Sequence, residues 1–295
     1  MTSWNRWAKA ATVLGFAGVA MLGLTAQPEK PKTSAADLPE ASELFERHIE
    51  AIGGRDAVFA EKTRVVTGTY EGPPFTGIVK LRVWAEAPDK MHMQLVEPLG
   101  RQLDLYYDGE VTWQQDSTSN NGEPVAVTGP QRVEIIEAAD FFGESNYANR
   151  YSAIETIGTA TFDGKDYYAV RATSQFGRTR RLFFEKESGL FSAEQSPIVT
   201  QDKDGKVITV PMEILIFDYQ DVGDGVLYPR TQSQKIPGPG GGKVLMKFLD
   251  VKVDTGEHHD FSPPPEVAEA YRAAMAAAEA AAANQPTDDP AKQGG

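Results

Sequence analysis

GIVKLRVWAEAPDKMHMQLVEPLGRQLDLYYDG, residues 77–109, decides the fold. Apolar side chains recur there at every second position. Val79, Leu81, Val83 and Ala85 fall on one side, with Lys80, Arg82 and Glu86 on the other. After a turn at Pro88-Asp89, Met91, Met93 and Leu95 alternate with His92 and Gln94. Leu103, Leu105 and Tyr107 repeat the pattern, and Asp108-Gly109 is a tight-turn signature. A period of two, carried from segment to segment through short turns, is what an antiparallel sheet with one covered face demands.

Working outward, Thr63 to Tyr70 and Val111 to Gln115 extend this meander on either side. Asp116 to Glu123 reads as a loop. Further strands are expected at Ser152 to Thr161, Tyr167 to Thr173, Arg178 to Glu185, Leu190 to Gln195, Lys206 to Tyr219, Val226 to Ile236 and Lys243 to Asp254. Asp163-Gly164, Ser188-Gly189, Asp204-Gly205 and Asp224-Gly225 supply turns between them. Two segments change to a helical period. Pro39 to Ile52 places Leu44, Phe45, His48, Ile49 and Ile52 on one face, with Ser42 as an early cap and Gly53-Gly54 as the stop. Pro130 to Phe142 aligns Ile135, Ile136, Ala139 and Phe142. Arg55 to Glu61 adds one further turn.

About a dozen strands with two substantial helices make an α+β protein rather than a βαβ one. A sheet that wide has to curl or close, because strand twist accumulates. The expected architecture is a strongly bent antiparallel sheet, an incomplete β-barrel, with helices covering its concave face. That face is either filled by the helices or left partly open as a cavity.

The two ends are read separately. Residues 1–26 carry Arg6 and Lys9 ahead of an apolar run from Ala10 to Ala26, the pattern of a secretory signal or of an uncleaved N-terminal anchor. Residues 27–37 read as a linker and 38–263 as one domain. Residues 264–283 follow Pro263-Pro264-Pro265 as an Ala-rich helix with few large apolar side chains to bury, and 284–295 as a polar tail. The chain of 295 residues has no cysteine, which excludes disulfides, thiolate metal sites and lipid attachment through cysteine. A net charge of −13 without a long basic face argues against nucleic acid and against anionic membrane surfaces.

The stretch ELFERHIEAIGGR at 43–55 resembles the opening helix of exported bacterial domains grouped with the LolA-like lipoprotein carriers. Similar elements follow in order: APDKM at 87–91, YDGEVTW at 107–113, FDGKDYYAV at 162–170, FEKESGL at 184–190 and DGVLYP at 224–229. The resemblance covers about residues 40–262. It implies an incomplete β-barrel with helices across its mouth, whose concave apolar face holds lipoprotein acyl chains in the carriers. Relatives of that shape carry lipids, sense envelope stress or, in one case, perform catalysis. The insert Pro237 to Gly242 and the Ala-rich C-terminal segment depart from the carriers.

Residue chemistry points away from catalysis. There is no serine nucleophile elbow, no phosphate-binding glycine pattern and no HExxH. His48 falls on the apolar face of its helix, as a packed core histidine does. His92 lies opposite Met91 and Met93 and is expected to be exposed, and Asp254 to Asp260, with His258 and His259, to be a solvated loop. Arg178, Arg180 and Arg181 could meet an anion or pair with acids on neighbouring strands. No metal and no cofactor is expected.

The apolar side is more informative. Met91, Met93 and Leu95 should neighbour Leu103, Leu105 and Tyr107, with Ile135, Ile136 and Phe142 of the middle helix above them. Methionine adapts its shape, which suits surfaces that accept varied alkyl chains. These nine residues either line a ligand cavity or pack as ordinary core. The reading is a periplasmic or otherwise exported, non-enzymatic binding protein for a lipid or lipoprotein acyl chain, expected as a monomer. The alternative is an envelope sensor or protein-interaction module with an envelope protein as partner.

Overall fold

The computed structural model describes residues 38–73, 75–201, 207–235 and 242–283, with the side chains at 198–201 and 207–211 left aside. Residues 1–37, 284–295 and most of the Pro237 to Gly242 insert lie outside this set. The meander forms as its alternation requires: β1 (Thr63–Glu71), β2 (Ile78–Glu86), β3 (Lys90–Val96), β4 (Gln102–Tyr107) and β5 (Thr112–Asp116). Val83 pairs with Met93, which pairs with Leu105, while Leu81, Leu95 and Leu103 form the adjoining row. One apolar set on one face leaves the register no freedom, because a one-residue slip would expose every member of it.

The second half supplies β7 (Tyr151–Phe162), β8 (Lys165–Ser174), β9 (Thr179–Glu185), β10 (Phe191–Gln201), β11 (Val207–Asp221), β12 (Leu227–Lys235) and β13 (Lys243–Val253). With β6 (Val125–Ala126), they build one 13-stranded antiparallel sheet in the order β6-β5-β4-β3-β2-β1-β13-β12-β11-β10-β9-β8-β7. The strand not foreseen is β6, whose two residues are too few to display a period. The ends of the chain of strands meet in the middle of the sheet, where β1 pairs with β13. β6 and β7 are its two edges, and no pairing joins them among the described residues.

Among the described residues five α-helices accompany the sheet. On its inner face lies α1 (Ala41–Ala51), whose Leu44 and Phe45 pack on Val170 and Ala172 of β8 and on Leu182 and Phe184 of β9. Phe45 is wholly buried, worth about 2–3 kcal/mol relative to exposure. Ser42 sits inside the first turn of α1 rather than capping it. Gly53 ends the helix at φ +126°, and a Cβ there would come within 2.8 Å of the Gly225 carbonyl, so no other residue fits. Next come α2 (Arg55–Ala60), α3 (Gly129–Ala139) and the single turn α4 (Tyr147–Arg150). The last, α5 (Pro265–Ala283), docks on the outer face, where Val267 and Tyr271 pack against Val111 and Trp113. Its Ala-rich composition hides these two anchors, so it buries more than its composition promises. No helix among the described residues is long and apolar enough to cross a membrane.

Candidate functional site

The inner face of the central strands is apolar and unevenly covered. Met91, Leu105, Tyr107, Ile135 and Ile136 meet in one cluster with Val127 and Ala139, where α3 rests on β3 and β4. Met93, Leu95 and Leu103 belong to the adjoining cluster with Leu81, Phe75 and Val244, and Val83 touches both. Phe142 stands apart: it lies beyond the end of α3 and stacks on Phe59 at 4.5 Å. At one end of this wall Met91 and Tyr107 are buried under α3, and at the other Leu95 and Leu81 are buried near Phe75. Between them Val83, Met93 and Leu105 remain only half-buried, as do Leu103 beside Leu95 and Met246 and Phe248 on β13. These half-buried apolar side chains lie on β4, β3, β2 and β13.

The same face turns polar on β12, next to β13. On β12, Gln232 pairs with Met246 and Gln234 with Val244, so alternation sets Arg230, Gln232 and Gln234 on the inner face. All three are half-buried. Neither glutamine makes a side-chain hydrogen bond among the described residues. Arg230 reaches the Phe248 carbonyl through Nη1 at 3.5 Å, and its buried Nε has no partner.

α3 is held from two sides. Ile135 and Ala139 grip β3 and β4, while Glu137 accepts from Arg178 at 3.1 Å and from Arg180 at 2.5 Å, both at the β9 end of the sheet. Arg180 also pairs with Glu194 at 3.3 Å, and Arg150 with Asp140 at 3.0 Å. These arginines therefore meet their anions within the chain. Burial pushes Glu194 and Asp140 above the usual carboxylate range despite Arg180 and Arg150. Glu144 goes the other way, because Arg150 and Arg180 outweigh its burial. His48 is buried, accepts the Phe191 amide on Nδ1 at 3.1 Å, and is lowered by burial to about 4.

The outer face carries a feature that the sequence reading missed. Register places Trp84, His92, Tyr106 and Trp113 side by side on four successive strands. Their rings stack at 4.6, 3.8 and 3.6 Å. His259 continues the stack on Trp84 at 4.5 Å. His92, only 3% exposed, donates through Nε2 to Asp104 at 2.8 Å, so its Nδ1 accepts from His259 Nε2 at 2.9 Å. Burial pushes Asp104 up, but hydrogen bonds from His92, Gln102 and Gln94 outweigh it and keep the carboxyl ionised. His259 is lowered to about 4, by burial first and then by His92 and Arg82. His92 thus occupies the face expected of it but is covered, and His259 is docked rather than solvated. The alternation that fixed the methionine face also implied the ring pairing. The covering segment could not be read from it.

Two grooves lie elsewhere, over β7 to β11. One, of about 540 Å³, is lined by Phe162, Tyr167, Leu215 and Phe217 among others. The other, of about 400 Å³, lies among Arg171, Thr179, Arg181 and Gln195. Neither includes a residue of β1 to β4. Among the described residues no group of three or more histidine or acidic side chains is placed to hold a metal ion.

No protein-family model matches the chain, and no curated protein matches it. Solved structures do. A LolA superfamily protein from Nitrosomonas europaea aligns over 77% of this chain and 99% of its own, with a TM-score of 0.50 at 13% identity. The chain has the LolA-like fold. A DUF1329 family protein from Desulfovibrio piger aligns equally well, with a TM-score of 0.50 at 11% identity over 74% of this chain and 95% of its own. The LolA-like fold is thus shared by chains that have little sequence in common, as expected where architecture rests on alternation rather than on particular residues. Within this LolA-like frame α3 rests on β3 and β4 in the first half of the sheet.

Proposed function

We propose that this chain is an exported cell-envelope binding protein that holds a lipid or lipoprotein acyl chain between its sheet and α3, without catalysing a reaction. The observation that carries the reading is a set of half-buried apolar side chains on one face of the sheet, Val83, Met93 and Leu105 on β2 to β4 with Met246 and Phe248 on β13. Apolar side chains on a covered face are ordinarily buried, as Val66 and Val251 are where they continue the Val83 row onto β1 and β13, whereas these five keep some exposure. A hydrocarbon tail laid along them gains about 0.8 kcal/mol per methylene. A dozen carbons gain about 10 kcal/mol, above the lower estimates of association cost. Met91, Leu95, Leu103, Tyr107, Ile135 and Ile136 complete the set we assign to the site, and Phe142, stacked on Phe59 in another cluster, drops out of it. Export rests on the basic start and apolar run of residues 1–26, and the carrier role accords with the LolA-like fold.

Native mass spectrometry of protein purified from envelope extract tests this directly, with co-purifying lipid as the expected result. Met93→Glu sets a charge among these apolar side chains and should cut lipid retention more than tenfold while the melting temperature holds. Global unfolding of this variant would mean that Met93 belongs to a solid core, and the carrier reading would fall. A second reading, a protein-interaction module, is favoured by the exposed Leu215 and Phe217 beside the larger groove. A stoichiometric protein partner in the same spectra, with no lipid, would select it.

A further inference from the structure

The interior arginines divide into two kinds. Arg64, Arg150, Arg178 and Arg180 each pair with a carboxylate of the chain. Arg230 does not. Among the described residues no acidic oxygen lies within 4.0 Å of it, its Nε is buried without a partner, and its one hydrogen bond is a marginal 3.5 Å contact with a carbonyl. It stands beside Phe248 of the neighbouring β13, whose ring lies 6.0 Å from that of Tyr228. The Arg230 Nε is buried like those of Arg64 and Arg180, whereas Nη2 has no partner and keeps solvent contact, open to an anion. Gln232 and Gln234 follow on the same face with their amides unengaged.

We infer that Arg230 receives the oxyanion head of an amphiphile, a carboxylate or a phosphate, whose hydrocarbon tail lies along Met93, Met246 and Phe248. The inference rests on the carrier reading and sharpens it. An acyl chain alone offers no counter-charge, whereas an acid at the end of the tail supplies the partner that Arg230 lacks. A guanidinium can donate two parallel hydrogen bonds to either head group, and the Gln232 amide lies two positions along the strand to take up a remaining oxygen. The polar stripe of β12 and the apolar wall of β1 to β4 then divide one ligand between them.

The test measures binding of decanoate, decyl phosphate and decanol to the full chain and to Arg230→Gln by calorimetry at pH 7.5. The expected result is that one or both anions bind about ten- to hundred-fold more tightly than decanol, the advantage of a hydrogen bond to a charged group. Arg230→Gln should erase this preference and leave decanol binding unchanged. The comparison of decanoate with decyl phosphate identifies the head group. Since Arg230→Gln removes an unpaired charge, the ligand-free variant should melt no lower than the original chain. Equal affinity for decanol and the anions, or a preference that survives Arg230→Gln, overturns the inference while leaving the carrier reading standing. A several-degree loss of melting temperature on Arg230→Gln overturns it too, by showing that Arg230 serves the fold. Failure of all three probes to bind the original chain sinks the carrier reading itself.

Discussion

His48→Gln should change how stability depends on acid. His48 is wholly enclosed by α1 and the sheet, its ring near Phe184, Phe191 and Tyr219 at 6.1 to 6.4 Å, and its Nδ1 accepts the Phe191 amide. Burial lowers its pKa from 6.5 to about 4. The unfolded chain therefore binds a proton at His48 before the folded one does. Stability is full above pH 6.5 and is lost as pH falls from there toward 4. The loss attributable to this one ring is about 2 kcal/mol at pH 5 and about 3 kcal/mol at pH 4. Glutamine keeps an acceptor for the Phe191 amide but cannot titrate, and its poorer packing should cost about 1–2 kcal/mol at pH 7. Urea unfolding of both chains, followed by tryptophan fluorescence between pH 7 and pH 4, cancels the carboxylates they share. The original chain should be the more stable at pH 7, the two should cross between about pH 6 and pH 5, and the variant should lead at pH 4. A stability gap that stays constant across that range would refute the argument.

Two other substitutions probe the attachments on either face. Glu137→Gln takes the shared carboxylate from Arg178 and Arg180 and should cost about 3 kcal/mol, the penalty for breaking a buried ion pair from one side. Hydrogen exchange should quicken across α3, and unchanged exchange would show that Ile135 and Ala139 hold the helix unaided. Tyr271→Ala removes a buried ring and the acceptor for Arg132 Nε at 2.6 Å, which should weaken the docking of α5 by about 3 kcal/mol. Limited trypsin digestion should then cut after Arg272 well before the sheet is attacked, and equal resistance in both chains would count against that anchoring role.

The alternation from Val79 to Tyr107 was enough to specify the antiparallel meander, its register and the face on which the methionines lie. Such a pattern is a local property: a strand turns over at every residue, so neighbours in sequence declare which side is covered. The helical stripe of Leu44, Phe45, His48 and Ile49 was legible for the same reason, and so was the choice of α+β over βαβ. Alternation says which face a residue occupies but not what lies over it. His92 was therefore assigned to the correct face and to the wrong environment, because its cover comes from His259, 167 residues away. Val267 and Tyr271 looked too few to anchor a helix until the outer face offered Val111 and Trp113 to receive them. Arg180 and Arg230 are alike in sequence, each set in an alternating strand. Only the assembled sheet brings Glu137 and Glu194 to one and no acid to the other. Periodicity acts between near neighbours along the chain, whereas burial and charge pairing act through space. The sequence by itself could therefore determine the sheet and its faces, and the tertiary structure alone decided which polar groups found partners.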